Sequence, residues 1–332
     1  MTDFDIVIAT CDRHKSLKKL IGQIFDCSNL PRNLYIVDSS DQKLEFPRNY
    51  SNVEYIHSPV KNQPLQRYIG FTMTQSEIVV FLDDDVRITD KSCFDKILKE
   101  YKNPNVYGVQ PSIKYQHVFF DSKIPSSPLR RGSKKNTLLG FLKALSGNPT
   151  IPKGKFWLAG LRSSLPSDKG YIEWFNGPVF SARKKFLYLG FNFNLFELYN
   201  LGLGKGEDAI LGFTLSRIGS IKFQQENTFL HEDQEDSKYS KNLFVFYKRM
   251  SFSRMYLSFE YSRQKPFPFV VAFLHYNLYI IGRLITLMLN QLYSFDIDRF
   301  IVAKGYLKGY FLATKNMRIL RKIKLRYKLS SN

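Results

Sequence analysis

The chain of 332 residues is long enough for one large domain or two smaller ones, each with a buried core. Its formal charge of +20 is concentrated: residues 122–172 hold ten Lys/Arg against one acid, Asp168, and residues 299–332 hold ten and no acid, so the rest is nearly neutral. Three cysteines, Cys11, Cys27 and Cys93, show no paired spacing, which argues against a disulfide framework and fits a reducing cytosol.

The chain opens Met-Thr-Asp-Phe-Asp and runs straight into a strand, so no signal peptide is expected. Residues 5–10 read as that strand. Residues 15–25 place Leu17, Leu20, Ile21 and Ile24 at helical spacing. Residues 34–38 read as a second strand ending in an acid, 53–56 as a third and 66–74 as a helix. The next run is the most informative. Val79, Val80, Phe81 and Leu82 read as a buried strand, and Asp83, Asp84 and Asp85 follow where it would end. Adjacent carboxylates repel one another, and a divalent cation with its preference for hard oxygen relieves that repulsion. This pattern points to a metal-assisted site for a phosphate-bearing substrate, with an acidic loop or helix cap as the plain alternative. Strands alternating with helices predict a doubly wound, mostly parallel α/β sheet flanked by helices. In such a sheet the strand ends share one edge, where residues 10–13, 38–41 and 83–85 would converge.

From 110 to 170 the pattern loosens around a basic turn, Arg130 to Lys135, and a short apolar helix candidate at 137–145. A basic edge beside an apolar helix suits an in-plane membrane segment or a mobile loop. Order returns at 171–180. Glu207 and Asp208 precede a helical run, 209–218, where acids also cap the helix dipole favourably. Strand-like residues at 221–223 and 228–230 lead to His231, Glu232 and Asp233. Residues 270–289 form a largely apolar stretch with one formal charge, Arg283, long enough to span a bilayer. His275, Asn277 and Arg283 count against a span, because polar groups are costly at mid-membrane. A helix lying in or dipping into the cytosolic leaflet is favoured, with a true span or a packed soluble helix as alternatives.

In order and spacing, these pieces resemble an inverting family 2 glycosyltransferase with a GT-A fold. Residues 8–13 resemble the opening strand and turn of that family, residues 36–41 its second strand, and residues 62–70 a segment in which Tyr68 stands where the family usually has Asn. Asp83 to Asp85 match its Asp-x-Asp metal motif. Residues 174–177 resemble the acceptor-side strand and loop, and Gly206-Glu207-Asp208 with Arg217 and Gly219 the helix that carries the base. Residues 247–249 and 304–309 resemble the membrane-associated tail of rhamnosyltransferase-like members.

The resemblance implies sugar transfer from a nucleotide diphosphate sugar to a hydroxyl of a glycan or polyprenyl-linked acceptor, in surface polysaccharide synthesis. Asp208 would be the base, with Glu207 beside it positioning the acceptor. Thr10, Asp12, Arg13, Asp38, Arg67, Asp83 and Asp84 would hold the nucleotide sugar. Asp85, Asp83 and His231 would hold Mg²⁺ or Mn²⁺, and a His ligand favours Mn²⁺. Trp174, Asn176, Gly177 and Arg217 would face the acceptor, with Arg217 either near the diphosphate or bracing Glu207. The expected organisation is a GT-A domain over 1–240, with 110–170 as a variable basic insertion, and a helical, membrane-associated tail over 241–332. The basic blocks then serve an anionic membrane surface on the cytoplasmic face, as a peripheral or monotopic protein, and no nucleic acid is expected. A nucleotidyltransferase is the alternative enzyme, but residues 10–15 lack the Gly-rich phosphate loop. A basic nucleic-acid binder or an inactive scaffold would need neither the three acids nor the Glu-Asp helix.

Overall fold

The computed structural model describes residues 3–42, 51–115, 152–166, 168–232, 242–293 and 295–322. The basic turn 130–135, the helix candidate 137–145, Asp233 and the last ten residues lie outside them. Two compact units emerge. The first takes the described residues of Met1–His117, Ser164–Asn192 and Glu207–Gln234, and the second takes the remainder.

The first unit begins with β1 (Phe4–Thr10), α1 (His14–Phe25), β2 (Leu34–Asp38), β3 (Val53–His57) and α2 (Gln63–Met73). It continues with β4 (Ile78–Asp83), β5 (Val86–Ile88), α3 (Cys93–Glu100) and β6 (Val106–Tyr115). Two short strands of the second unit come next in the chain, β7 (Phe156–Trp157) and β8 (Leu161–Arg162). The first unit resumes with β9 (Gly170–Ile172), β10 (Val179–Arg183) and α4 (Lys184–Gly190). After α5 (Phe193–Asn200) of the second unit, it closes with α6 (Glu207–Ser216) and β11 (Ser220–His231).

Among the described residues, nine strands form one sheet in the order β3-β2-β1-β4-β10-β6-β11-β5, with β9 on β11. The ladders of β1 with β2 and β4, of β2 with β3 and of β6 with β11 are parallel. β10 runs antiparallel between β4 and β6 and makes the sheet mixed. Helices cover both faces, which is why β1, β2 and β4 are nearly continuous apolar runs. Ile6, Ile8, Ile36, Val80 and Leu82 join Leu17, Leu20 and Ile24 of α1 and Phe94 and Ile97 of α3 in one core cluster. On the other face, Gly70 lets α2 approach Val7 and Val37, where a Cβ would lie 2.5 Å from Val7 Cγ1. This is the mostly parallel sheet that the alternation of strands and helices predicts, in the GT-A-like form that the resemblance implies.

α2 starts earlier than periodicity suggests. Asn62 caps it, accepting a hydrogen bond from Leu65 N at 3.1 Å, and Pro64 sits in its first turn. The two strand-like stretches near 221 and 229 are one bulged strand, with register shifts between Gln224 and Asn227 and between Asn227 and Phe229. α6 is held close to the backbone of 174–175 by Gly212, where a Cβ would stand 2.4 Å from Phe175 N and 2.7 Å from Trp174 C. Backbone atoms cannot rotate aside, so Gly212→Ala is expected to destabilise the first unit by about 2 kcal/mol or more, read as a lower denaturant midpoint.

The second unit is built on α7 (Leu243–Gln264), α8 (Phe269–Tyr293), α9 (Ile297–Lys315) and α10 (Met317–Lys322). Arg254 of α7 donates to the carbonyls of Ala159 and Gly160 at 2.9 and 3.2 Å, and Ser258 Oγ accepts from Ala159 N at 2.7 Å. Arg249 Nη2 donates to Gly204 O at 2.6 Å and Ser253 Oγ to Leu203 O at 2.6 Å. α9 crosses α7 at Gly305 and Gly309, where added Cβ atoms would stand 2.8 Å from Phe244 O and 2.3 Å from Lys248 O. The two tail segments singled out in the sequence, 247–249 and 304–309, thus lie at one helix crossing. Phe269–Leu292 of α8 is long and apolar enough to cross a membrane, although the core helix of a soluble protein meets the same condition. It is consistent with a peripheral or monotopic membrane association.

Candidate active site

Parallel register brings the strand ends together. Thr10 pairs with Asp38 across β1 and β2, and Ala9 with Asp83 across β1 and β4. Asp83 is the last residue of β4, and Asp84 and Asp85 form the turn into β5.

Arg67 meets Asp83, Arg13 meets both Asp84 and Asp85, and His231 also meets Asp85. Arg67, on α2 and 2% exposed, donates Nη2 to Asp83 Oδ1 at 2.5 Å and to the Gly177 carbonyl at 3.0 Å, and Nη1 to Glu207 Oε1 at 2.9 Å. Arg13 Nη1 reaches Asp84 Oδ1 at 2.9 Å and Asp85 Oδ2 at 2.6 Å. Thr10 Oγ1 donates to Asp84 Oδ2 at 2.6 Å. His231, at the end of β11, puts Nε2 3.3 Å from Asp85 Oδ1. Gln63 Nε2 adds a 3.0 Å bond to Asp83 Oδ1. Asp208 is buried in the first turn of α6, with Oδ2 3.3 Å from where a Cβ on Gly177 would stand. The strand-end acid Asp83, Glu207 of the Glu-Asp helix and Gly177 are therefore joined through one guanidinium.

The environment separates the carboxyls. Burial pushes Asp84 up to about 7 against the pull of Arg13. Burial likewise raises Asp83, with Arg67 opposing. Asp85 goes the other way: burial would raise it, but His231 and Arg13 together hold it below the usual carboxylate range. Arg13 and Arg67 lose solvation, yet their acids lift both above the ordinary guanidinium range.

The nucleoside-side candidates are near but differently engaged. Asp38 is fully buried. Its Oδ1 accepts from Ser40 N and Oγ at 2.8 and 2.5 Å, and its Oδ2 accepts from Tyr55 Oη at 2.5 Å and lies 3.2 Å from His14 Nε2. Its oxygens are met by protein, so the groups beside it that retain exposure are His14 and Tyr55. Asp12 has φ 58, its N donates to Ser40 Oγ at 2.6 Å, and its carboxylate pairs with Lys61 at 3.3 Å. Asn176 N donates to Gln110 Oε1 at 2.7 Å and its side chain to Tyr115 Oη. Trp174 is buried, 7% exposed, with its backbone against Gly212.

Arg217 is not brought to this cluster. It is exposed beyond the C-terminal end of α6, roughly 15 Å along the helix from Glu207 at 1.5 Å per residue. The arginine paired with Glu207 is Arg67. Gln63, Gln110, Tyr115, His14 and Tyr55 were not singled out in the sequence. Gln63 had one readable signal, its place just after a helix-capping Asn.

Among the described residues, no group of three or more His, Cys, Asp or Glu side chains stands as a metal site. The donor chemistry still suits a divalent cation in part. Asp85 Oδ1 is buried and lies 3.3 Å from the His231 imidazole nitrogen. A carboxylate and an imidazole make two such ligands.

The sequence profile described as "Glycosyl transferase family 2" matches residues 5–164. Among solved structures, the chain is similar to GalNAc-T7, solved with UDP, GalNAc and Mn²⁺, at 11% identity and TM-score 0.51, over 84% of this chain and 54% of that one. It also aligns with the Staphylococcus aureus TarS 1–349 structure at 10% identity and TM-score 0.43, over 96% of this chain and 92% of that one. The chain thus spans about half the length of the GalNAc-T7 chain. A search among curated proteins finds no match. The fold is GT-A-like, and a family 2 glycosyltransferase profile matches its residues 5–164.

Proposed function

We propose that the protein is a metal-dependent, inverting glycosyltransferase that moves a sugar from a nucleotide diphosphate sugar to a hydroxyl of a glycan or polyprenyl-linked acceptor, in surface polysaccharide synthesis. The observation that carries this reading is Arg67, which ties the strand-end acid Asp83 to Glu207 of α6 and to Gly177, against which Asp208 packs. A donor side and a base side meet there across one side chain.

In the proposed reaction the acceptor oxygen attacks the anomeric carbon. The carbon–oxygen bond to the diphosphate breaks and its electron pair leaves with the nucleotide. The acceptor proton passes to the Asp208 carboxylate. Attack opposite the leaving group inverts the anomeric centre. Glu207, fixed by Arg67, orients the acceptor. Asp85, Asp83 and His231 would hold Mn²⁺ or Mg²⁺. When bound, that ion offsets the charge gained by the leaving diphosphate. Arg13 supports this role by fixing both Asp84 and Asp85. Thr10, Asp12 and Asp38 shape the nucleoside side, Asp38 through His14 and Tyr55. Trp174 and Asn176 support the acceptor loop. The basic tail and α8 bring the site to an anionic membrane surface on the cytoplasmic face. The likeness of segments 247–249 and 304–309 to rhamnosyltransferase-type members makes a deoxyhexose donor one to include in the tests.

The test is donor turnover. Purified protein is incubated with UDP-, GDP- and dTDP-sugars, with Mn²⁺, Mg²⁺ or chelator, and release of nucleoside diphosphate is followed. One donor class is expected to turn over only with metal, and Asp85→Asn is expected to lower that rate by about 10- to 100-fold, as for lost metal support. Turnover equal in chelator would contradict the metal role.

A further inference from the structure

α8 is long enough to cross a bilayer, and its neighbours within the second unit bear on whether it does. Its inner side packs on α7 and α9. Phe269 meets Phe259 with ring centroids 5.7 Å apart, and Tyr276 Oη donates to the Ser251 carbonyl at 3.0 Å. The Arg254 guanidinium lies 4.7 Å from the Tyr279 ring centroid and that of Arg283 5.8 Å from Tyr306. Tyr310 Oη donates to Asn277 Oδ1 at 2.7 Å. The order of these pairs makes α8 antiparallel to both α7 and α9 along much of its length. A spanning α8 would therefore take charges of both neighbours with it, Arg254 and Glu260 from α7 and Lys304 and Lys308 from α9. Such charges are strongly disfavoured in hydrocarbon.

The outer side has a different character. Val270, Leu274, Leu278, Ile281, Met288 and Leu292 follow helical spacing and are 44% to 83% exposed. At 1.5 Å per residue this stripe is roughly 33 Å long. Phe295, 80% exposed, and Ile297 and Phe300 are further exposed apolar side chains after it in the chain. Along α9, exposed Leu307 and Phe311 alternate with exposed Lys304, Lys308 and Lys315. α8 contains no acid, and α9 has only Asp298, in its first turn. An exposed apolar face edged by lysines is not complementary to a second copy of itself, since lysine would meet lysine. Anionic headgroups over acyl chains match both of its components.

We infer that the α8 stripe, the α8–α9 turn and the lysine-bearing face of α9 form a monotopic docking surface for an anionic lipid bilayer, with α8 lying in the membrane plane instead of crossing it. The inference deepens the membrane part of the proposed function and rests on that reading for its purpose.

The test is co-sedimentation of the full chain with phosphatidylcholine vesicles, with and without about 30% phosphatidylglycerol, at low and high salt. Two variants use exposed positions only: Leu278→Ser/Ile281→Ser/Leu292→Ser, and Lys304→Gln/Lys308→Gln. The wild type is expected to pellet with anionic vesicles and to be released by an alkaline wash. The lysine pair variant is expected to bind anionic vesicles about five-fold more weakly per lysine. The stripe variant is expected to lose the binding that survives high salt. Equal pelleting of the stripe variant, or resistance of the wild type to the alkaline wash, overturns the inference. So does self-association without vesicle binding, if the stripe variant abolishes it. Nucleotide binding measured on the same preparations separates the two readings: nucleotide binding without vesicle binding sinks this inference alone, and the reverse sinks only the transfer reading.

Discussion

Asp208→Asn is expected to leave a folded protein that binds nucleoside diphosphate within a few-fold of wild type and transfers sugar about 10³-fold more slowly. General-base removal typically costs 10²- to 10⁴-fold, because a neutral hydroxyl is a weak nucleophile without a base. The geometry makes the test clean. Asp208 sits in the first turn of α6, buried, against a glycine whose missing side chain leaves space for its carboxylate. Asn keeps that shape and loses the basicity. Single-turnover rates and nucleotide titration on the same protein check both halves. Loss of nucleotide binding in a folded variant would argue against the base role and for a ligand-holding one.

The second large effect belongs to stability. Arg67→Met is expected to cost about 3 kcal/mol, because it strands half-buried Asp83 and Glu207 without their shared cation and leaves the Gly177 carbonyl without its donor. Arg67→Lys is expected to recover little, since one ammonium cannot reproduce a fork reaching three acceptors. Equilibrium urea unfolding measures both. Asp83→Asn in the Arg67→Met background is expected to return part of the loss, which a double-mutant cycle reads as coupling. Additive effects would mean that the two side chains act independently.

The strand-end acids were legible because parallel strands send their C-terminal ends to one edge, and short apolar runs ending in Thr10, Asp38 and Asp83 mark those ends. The Glu-Asp helix was legible from its acids and its apolar run. The partners were not. A guanidinium at Arg67 looks the same in sequence whether it meets a nucleoside or joins two carboxylates; only the packing of α2 beside β1 and β4 decides. The same holds for Asp38, whose oxygens are met by Ser40, Tyr55 and His14. Tyr68, standing where the resembling family has Asn, packs edge-on to Phe191 at 5.2 Å and beside Phe71 at 6.1 Å, so that position is spent on aromatic packing. Arg217 was misleading because helical periodicity gives its face but not its distance from Glu207. The antiparallel insertion of β10 between β4 and β6 depends on pairings about 70 to 100 residues apart in sequence, which no local pattern carries.

The central claim is that the edge at Asp83 to Asp85 takes a nucleoside diphosphate together with a divalent ion. Thermal unfolding with UDP, GDP or dTDP, each with and without Mn²⁺, tests it directly, because a ligand that binds only the folded state raises the melting temperature. A rise with one diphosphate that requires Mn²⁺ and disappears in Asp85→Ala is expected. No rise with any diphosphate, or an equal rise without metal and in Asp85→Ala, would contradict it.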